Sequence, residues 1–140
     1  MKVGEVMTED VMACKTDDKL YECAGIMKEL NVGFMPIVDQ SENLVGVITD
    51  RDIAIRAVAK GVDLTNSKIG DFMTPNPITI EADYSVEDAA DIMADSQIRR
   101  LPVVQNGKLV GVITLGDLAV EIGEADLVAE TVEKISEPTR

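Results

Sequence analysis

The run Leu44-Val-Gly-Val-Ile-Thr-Asp-Arg-Asp-Ile53 returns as Leu109-Val-Gly-Val-Ile-Thr-Leu-Gly-Asp-Leu118, with its first six residues unchanged. The Thr-x-x-Asp spacing is kept, as Thr49 with Asp52 and Thr114 with Asp117. A chain that carries one segment twice is constrained to build one local structure twice. Leu44 to Ile48 is short, rich in β-branched residues and bounded by polar ones, which predicts a buried strand. The Thr that follows can cap a helix, and the Asp three residues on can reach back to the backbone, a capping box with Asp in place of Glu. Each copy reads as strand, cap and helix start.

The duplication extends well beyond this segment. Gly4-Glu-Val-Met-Thr8 returns as Gly70-Asp-Phe-Met-Thr74, an offset of 66. The same offset places Leu20, Ala24, Ile26 and Met27 on Val86, Ala90, Ile92 and Met93, and Met35-Pro-Ile-Val38 on Leu101-Pro-Val-Val104. It falls to 65 afterwards, because Asp39-Gln-Ser-Glu-Asn43 is one residue longer than Gln105-Asn-Gly-Lys108. A loop between paired strands tolerates that deletion, and Asn106-Gly107 in the shorter loop signals a tight turn.

Each unit opens on an extended segment, Val11 to Cys14 or Pro77 to Ile80. A helix follows, with apolar positions at Leu20, Cys23, Ala24 and Met27, or at Val86, Ala89, Ala90 and Met93; Ser85 is its N-cap in the second copy, with Asp88 three residues later. A hairpin comes next, Phe34–Val38 with Leu44–Ile48 and Arg99–Val104 with Leu109–Ile113. The closing helix of the first copy is expected from Asp50 to about Lys60, stopped by Gly61. The fold class is therefore α/β (α+β), two β-α-β-β-α repeats. About 60 residues bury too little surface to be comfortable alone, so the repeats are expected to pack through their sheets about a pseudo-twofold axis. The expected division is repeat 1 at 1–61, a linker at 62–69, repeat 2 at 70–126 and a helical tail at 127–140. In that tail Leu127, Val128, Val132 and Ile135 stand among acidic residues, as in a surface or dimer-packing helix, before a polar end from Glu137 to Arg140.

Composition narrows the function. Twenty-six acidic against 13 basic residues give a net charge of −13, which opposes a phosphate backbone or an anionic membrane surface, so neither nucleic acid nor membrane is an expected partner. No apolar run is long enough to span a bilayer, and Met1-Lys-Val-Gly-Glu5 lacks a secretory hydrophobic region, so a cytoplasmic location is expected. Histidine is absent, and Cys14 and Cys23 stand nine apart, which suits neither a zinc site nor a redox Cys-x-x-Cys; they read as small buried apolar residues. Neither a Gly-x-x-x-x-Gly-Lys loop nor a Gly-x-Ser-x-Gly elbow occurs, and no catalytic residue or metal site is expected.

The two Met-Thr openings at Met7-Thr8 and Met73-Thr74, the two x-Pro-(Ile/Val)-Val strands and the two Gly-Val-Ile-Thr-x-x-Asp segments together make the chain resemble a tandem pair of CBS domains, the regulatory Bateman module. The resemblance covers nearly the whole chain and is greatest to small stand-alone CBS-pair proteins. It implies a non-catalytic module that requires no cofactor, binds an adenosine-containing ligand (AMP, ADP, ATP or S-adenosylmethionine) in clefts between the repeats, forms a homodimer and passes occupancy to a regulated protein. Carried over residue by residue, it assigns ribose hydroxyls to Thr49 and Asp52 in one cleft and to Thr114 and Asp117 in the other. The alternative is a dimerising interaction module that needs no ligand, in which a side chain such as Phe34 blocks a cleft.

The chemistry of the residues accommodates a nucleotide. An ionised carboxylate accepts from both hydroxyls of a vicinal diol and repels a phosphate. Phosphate therefore calls for cations elsewhere, and Arg99-Arg100 is the one adjacent arginine pair, presenting planar forks suited to phosphate oxygens. The matching Gly33-Phe34 carries no charge. The clefts are thus expected to be unequal: Thr49, Asp52, Arg99 and Arg100 favour a phosphorylated ligand, with Ile78, Thr79 and Ile80 as base slot. The second has Thr114, Asp117 and Gly33-Phe34, with Met12, Ala13 and Cys14 as slot. A plainer reading stands beside each: the Thr-x-x-Asp pairs as helix caps, and the arginines as partners of surface carboxylates.

Overall fold

The computed structural model describes residues 1–122 and 125–137, which form two compact units. The first-repeat unit is Met12–Pro77. Its strands are β1 (Cys14–Lys15), β2 (Phe34–Val38), β3 (Leu44–Thr49) and β4 (Thr74–Pro75), side by side in that order. Helix α1 (Val3–Val6) belongs to the other unit, so the helix between β1 and β2 is α2 (Leu20–Leu30). β1 runs parallel to β2, as a crossover through α2 requires, while β2, β3 and β4 are antiparallel. Cys14, Leu20, Cys23, Met27, Met35, Ile37, Ile48, Ala57 and Ile69 form the core, so aliphatic and sulfur-bearing side chains fill it, with Phe72 partly buried against them.

The second-repeat unit joins Met1–Val11 to the chain from Ile78 onward. Its elements are α1, β5 (Ile80–Glu81), α4 (Val86–Ser96), β6 (Arg100–Gln105), β7 (Lys108–Thr114), α5 (Leu115–Ile122) and α6 (Ala125–Ile135), with α3 (Asp50–Ile53) lying in the first unit. β5 is parallel to β6, and β6 and β7 form a hairpin whose two-residue turn puts Asn106 at φ 53° and Gly107 at φ 80°. Both central residues have positive φ, which is why Asn-Gly is found there. Val3, Ile80, Val86, Ala89, Met93, Leu101, Ile113 and Leu118 are buried in this core.

The opening segment of each repeat in sequence thus pairs with the second hairpin strand of the other repeat, as strand β4 on β3 in one case and as a single bridge to β7 in the other. Thr8 exchanges hydrogen bonds with Val112, at 2.9 and 3.1 Å, and Val47 pairs with Thr74. Glycine at the third position of Leu-Val-Gly-Val-Ile-Thr makes this approach possible. A Cβ on Gly46 would collide with the Met73 side chain, and one on Gly111 would lie 2.6 Å from Met7 Sδ.

Three features depart from the expected elements. The helix after Thr49 keeps α geometry only to Ile53 and widens into a π-helical stretch over Ala54–Val58. Gly61, at φ +69°, follows it as the expected stop. Residues 62–69, the expected linker, contribute to the first-repeat core: Ile69 is buried, and Val62 and Leu64 pack against it. Helix α6 lies against α4 and α5, with Thr131 buried and Ile135 against the core. Gln97 ends α4 in the left-handed region and donates from Nε2 to the carbonyls of Lys134 and Glu137, at 3.2 and 2.9 Å, tying down the end of α6. The side chains of Leu127 and Val128, and residues 138–140, lie outside the described residues.

Candidate functional site

Thr49 and Asp52 sit where β3 becomes α3. Thr49 Oγ1 accepts from the Asp52 N–H at 3.1 Å, and Asp52 Oδ2 accepts from the Thr49 N–H at 3.0 Å. Thr114 and Asp117 repeat the arrangement at the start of α5, at 3.1 and 2.9 Å. Reciprocal capping satisfies two backbone donors and fixes the carboxylate at the first helical turn. It uses only one carboxylate oxygen. The other is held differently in the two copies.

Asp52 Oδ1 meets Arg56 Nη2 at 3.3 Å, with the Asp52 side chain 22% exposed. Arg56 Nη1 also donates to the Phe72 carbonyl at 2.9 Å, so this arginine bridges the π-helical stretch to the segment leading into β4. The residue matching Arg56 is Glu121, and Asp117 has no cationic partner among the described residues. The sequence reading gave Arg56 no role in the site. Its four-residue spacing from Asp52 was the available signal.

Arg99 and Arg100 are both exposed and line a cavity of about 540 Å³ with Thr114, Leu115, Gly116, Ala119 and Val132. The structure therefore brings the arginine pair together with Thr114 in the second-repeat unit; Thr49 and Asp52 belong to the first. The proposed base-slot residues divide by burial. Cys14 and Ile80 turn into the two cores, while Met12 and Ile78 are about half exposed, at 51% and 48%, with Ala13 and Thr79 between. Burial rises along each segment as it enters its sheet, from Met12 to Cys14 and from Ile78 to Ile80, a gradient rather than the alternation of a half-buried strand. Gly33 and Phe34 are partly buried at the start of β2, and the Asp50 carboxylate lies against the Gly33 backbone.

Cys14 and Cys23 are buried with their sulfurs 2.7 Å apart. The hydrogen bond between the two thiols holds Cys14 below its ordinary range, against the opposing effect of burial, and the same bond, with burial, pushes Cys23 up. Among the described residues no group of three or more Cys, Asp or Glu side chains is placed to hold a metal ion, and no helix is long and apolar enough to cross a membrane.

The repeated strand–cap–helix unit with Met-Thr segments on its outer strand is matched by the CBS domain family over residues 3–58 and again over 69–124. The chain belongs to the CBS-domain proteins, as a tandem pair. It is 42% identical over 138 residues to an uncharacterised protein of Bacillus subtilis, YlbB, covering 97% of this chain and 92% of that one. Among solved structures it resembles CBSX2 in complex with AMP, with a TM-score of 0.76 and 28% identity, over 89% of this chain and 98% of that one. It also resembles the CBS domain pair of protein MJ0100 in complex with 5′-methylthioadenosine and S-adenosyl-L-methionine. That match has a TM-score of 0.74 and 31% identity, over 88% and 96% of the two chains. The general role of such pairs is regulatory rather than catalytic.

Proposed function

We propose that this chain is a regulatory sensor of an adenosine-containing metabolite, AMP, ADP, ATP or S-adenosylmethionine, whose ribose is held at the Thr-x-x-Asp helix starts. The observation that carries the reading is the reciprocal cap made twice, by Thr49 with Asp52 and by Thr114 with Asp117, which fixes a part-buried carboxylate and leaves its second oxygen outside the cap. A capping role needs only one oxygen. The second supplies an acceptor for a diol, at a helix start where an anionic acceptor is also favoured. The complexes of two relatives with adenosine-containing ligands support the choice of ligand class.

Arg99 and Arg100 are assigned to phosphate, and the outward-facing apolar surface of Met12 and Ile78, with Ala13 and Thr79, to the base. Cys14 and Ile80 then support the slot from beneath through their neighbours. Occupancy acts on a regulated protein to the extent that the ligand binds two arrangements of the module unequally. A homodimer and a cytoplasmic setting complete the proposal.

Calorimetric titration with AMP, ADP, ATP and S-adenosylmethionine tests it, using the parent, Asp52→Ala, Asp117→Ala and an Arg99→Ala, Arg100→Ala double variant. The expected result is binding that is lost at one site in each Asp variant and weakened selectively for phosphorylated ligands in the Arg variant. No heat for any ligand, with an unchanged melting temperature, would reduce both Thr–Asp pairs to helix caps.

A further inference from the structure

The chain has two cysteines, and the fold brings them together. Cys14 opens β1, the edge strand of the first-repeat sheet, where it pairs with Ile37. Cys23 lies in the first turn of α2, its N–H donating to the Lys19 carbonyl at 3.0 Å. The crossover from β1 into α2 turns a nine-residue spacing, which suits no redox motif in sequence, into sulfurs 2.7 Å apart. Unbonded carbon atoms rest at about 3.5–4.0 Å and sulfur is larger, so the pair stands closer than packing alone gives. A further approach of about 0.7 Å reaches disulfide length. The second repeat shows what packing requires at these two places. The offset of 66 sets Ile80 on Cys14 and Ala89 on Cys23, and both are as deeply buried as their counterparts, at 3% and 0% exposed. Ile80 and Ala89 belong to one core with no reactive group at either place. The first repeat carries sulfur at both.

We propose that Cys14 and Cys23 are a modification site for peroxide, at which a two-electron oxidation joins them in a disulfide that ties β1 to α2 within the native first-repeat unit. Cys14 is the attacking sulfur, because its hydrogen bond with Cys23 favours the thiolate against burial and the Asp18 and Glu22 carboxylates. It gives up its proton to water, and the thiolate bonds to one peroxide oxygen as the O–O bond breaks. The departing hydroxide takes up that proton, which leaves water and a Cys14 sulfenic acid. The Cys23 sulfur then attacks the Cys14 sulfur. The S–O bond breaks, and the hydroxyl leaves with the Cys23 proton as a second water. Two thiols are thus oxidised to one disulfide, and one peroxide is reduced to two waters. Access comes through the edge of the sheet: β1 is two residues long with a strand on one side only, so it opens locally without unfolding the hairpin beside it. Closed again, the same burial shields the disulfide from bulky reductants. The site does not depend on the ligand reading above.

The test treats the native full chain with hydrogen peroxide, removes the oxidant with catalase, then unfolds the chain and alkylates its free thiols before intact-mass and peptide-mass measurement. Met12, half exposed, reports that oxidant was delivered. The expected product is a single chain lacking two hydrogens, closed to alkylation at both cysteines, with the Cys14 and Cys23 peptides joined while most Met12 is still unoxidised. Its melting temperature should rise by roughly 5 °C, and dithiothreitol should restore both thiols and the original value. Cys23→Ala, which copies the second repeat, should stop at a Cys14 that has gained oxygen. The double variant Cys14→Ile, Cys23→Ala should show no rise in melting temperature under peroxide. Met12 fully converted with both thiols still open to alkylation would overturn the proposal, as would a Cys14 that gains no oxygen in Cys23→Ala. So would a disulfide that joins two chains, or one that lowers the melting temperature, as a bond forced on the fold would.

Discussion

Gly111 packs against Met7 so closely that a Cβ there would stand 2.6 Å from the Met7 sulfur and 2.8 Å from the Thr8 carbonyl oxygen. Gly46 has the same relation to Met73 and to the Thr74 carbonyl. The sulfur can swing away, but the carbonyl belongs to a backbone segment held by the pairing of Thr8 with Val112. Gly111→Ala is therefore expected to cost about 1–3 kcal/mol, the usual range for overpacking a tight site. Met7→Ala in the same chain should recover only part of the loss, because the clash with the carbonyl remains. Thermal melts of the single and double variants measure both effects.

Replacing Asp52 or Asp117 by Asn separates capping from binding. The amide keeps an oxygen for the Thr N–H, so the cap survives; the charge at the helix start is lost, about 0.3–1 kcal/mol, and at Asp52 the part-exposed ion pair with Arg56 goes with it. The diol loses its ionised acceptor. The expected outcome is a small change in melting temperature beside a loss of affinity of roughly tenfold or more at the altered site, since hydrogen bonds to a charged group contribute about 1.5–3 kcal/mol. Equal losses of stability and affinity would indicate that the substitution merely unfolds the helix start.

Arg56 makes the two copies unequal. In the first copy a diol approaching Asp52 Oδ1 meets a guanidinium already 3.3 Å away, whereas Asp117 has no such competitor among the described residues. Arg56→Met keeps much of the aliphatic stem and frees that oxygen. Adenosine, which has no phosphate to respond to the lost charge, is expected to bind the Asp52 site several-fold more tightly and the Asp117 site unchanged. The ion pair is part-exposed and contributes at most about 1 kcal/mol, so stability should fall only slightly, with a further loss from the Phe72 carbonyl contact. Titration of Arg56→Met in an Asp117→Ala background reads the first site alone.

Gln97 holds the end of α6 through the Lys134 and Glu137 carbonyls. Gln97→Ala leaves those carbonyls to water and is expected to cost about 1 kcal/mol. The loss should be local: amide exchange over residues 129–137 speeds up roughly fivefold while the protection of β6 and β7 is retained. Mass-resolved hydrogen exchange distinguishes this from a global loss of stability.

Much of the fold was legible because its signals were local and doubled. The Thr-x-x-Asp caps, the Ser85 cap, the Asn106-Gly107 turn and the hairpin strands lie where spacing and residue type put them. What sequence reasoning missed was set by tertiary contacts. No local signal indicates that Ala54–Val58 opens into a π-helical stretch with Arg56 reaching Phe72, or that residues 62–69 contribute Ile69 to a core. The destination of α6 was equally hidden, since an amphipathic helix declares that it must be covered without declaring by what. Of the candidate site, the two carboxylates and their hydroxyl partners were readable from the repeat. An inequality was expected from Arg99-Arg100 against Gly33-Phe34; the one the carboxylates themselves show rests instead on the meeting of Asp52 and Arg56, for which the four-residue spacing was the signal.

The claim that these carboxylates hold a ribose diol is tested most directly by titrating the parent protein with AMP and with 2′-deoxy-AMP under one buffer and salt condition. The two ligands share base, phosphate and charge and differ by one hydroxyl. The account predicts that the deoxy ligand binds roughly 10–100-fold more weakly, the loss of about one charge-assisted hydrogen bond, and that Asp52→Asn and Asp117→Asn together abolish the difference. Equal affinities for the two ligands, or a difference that persists in the doubly substituted chain, would contradict it.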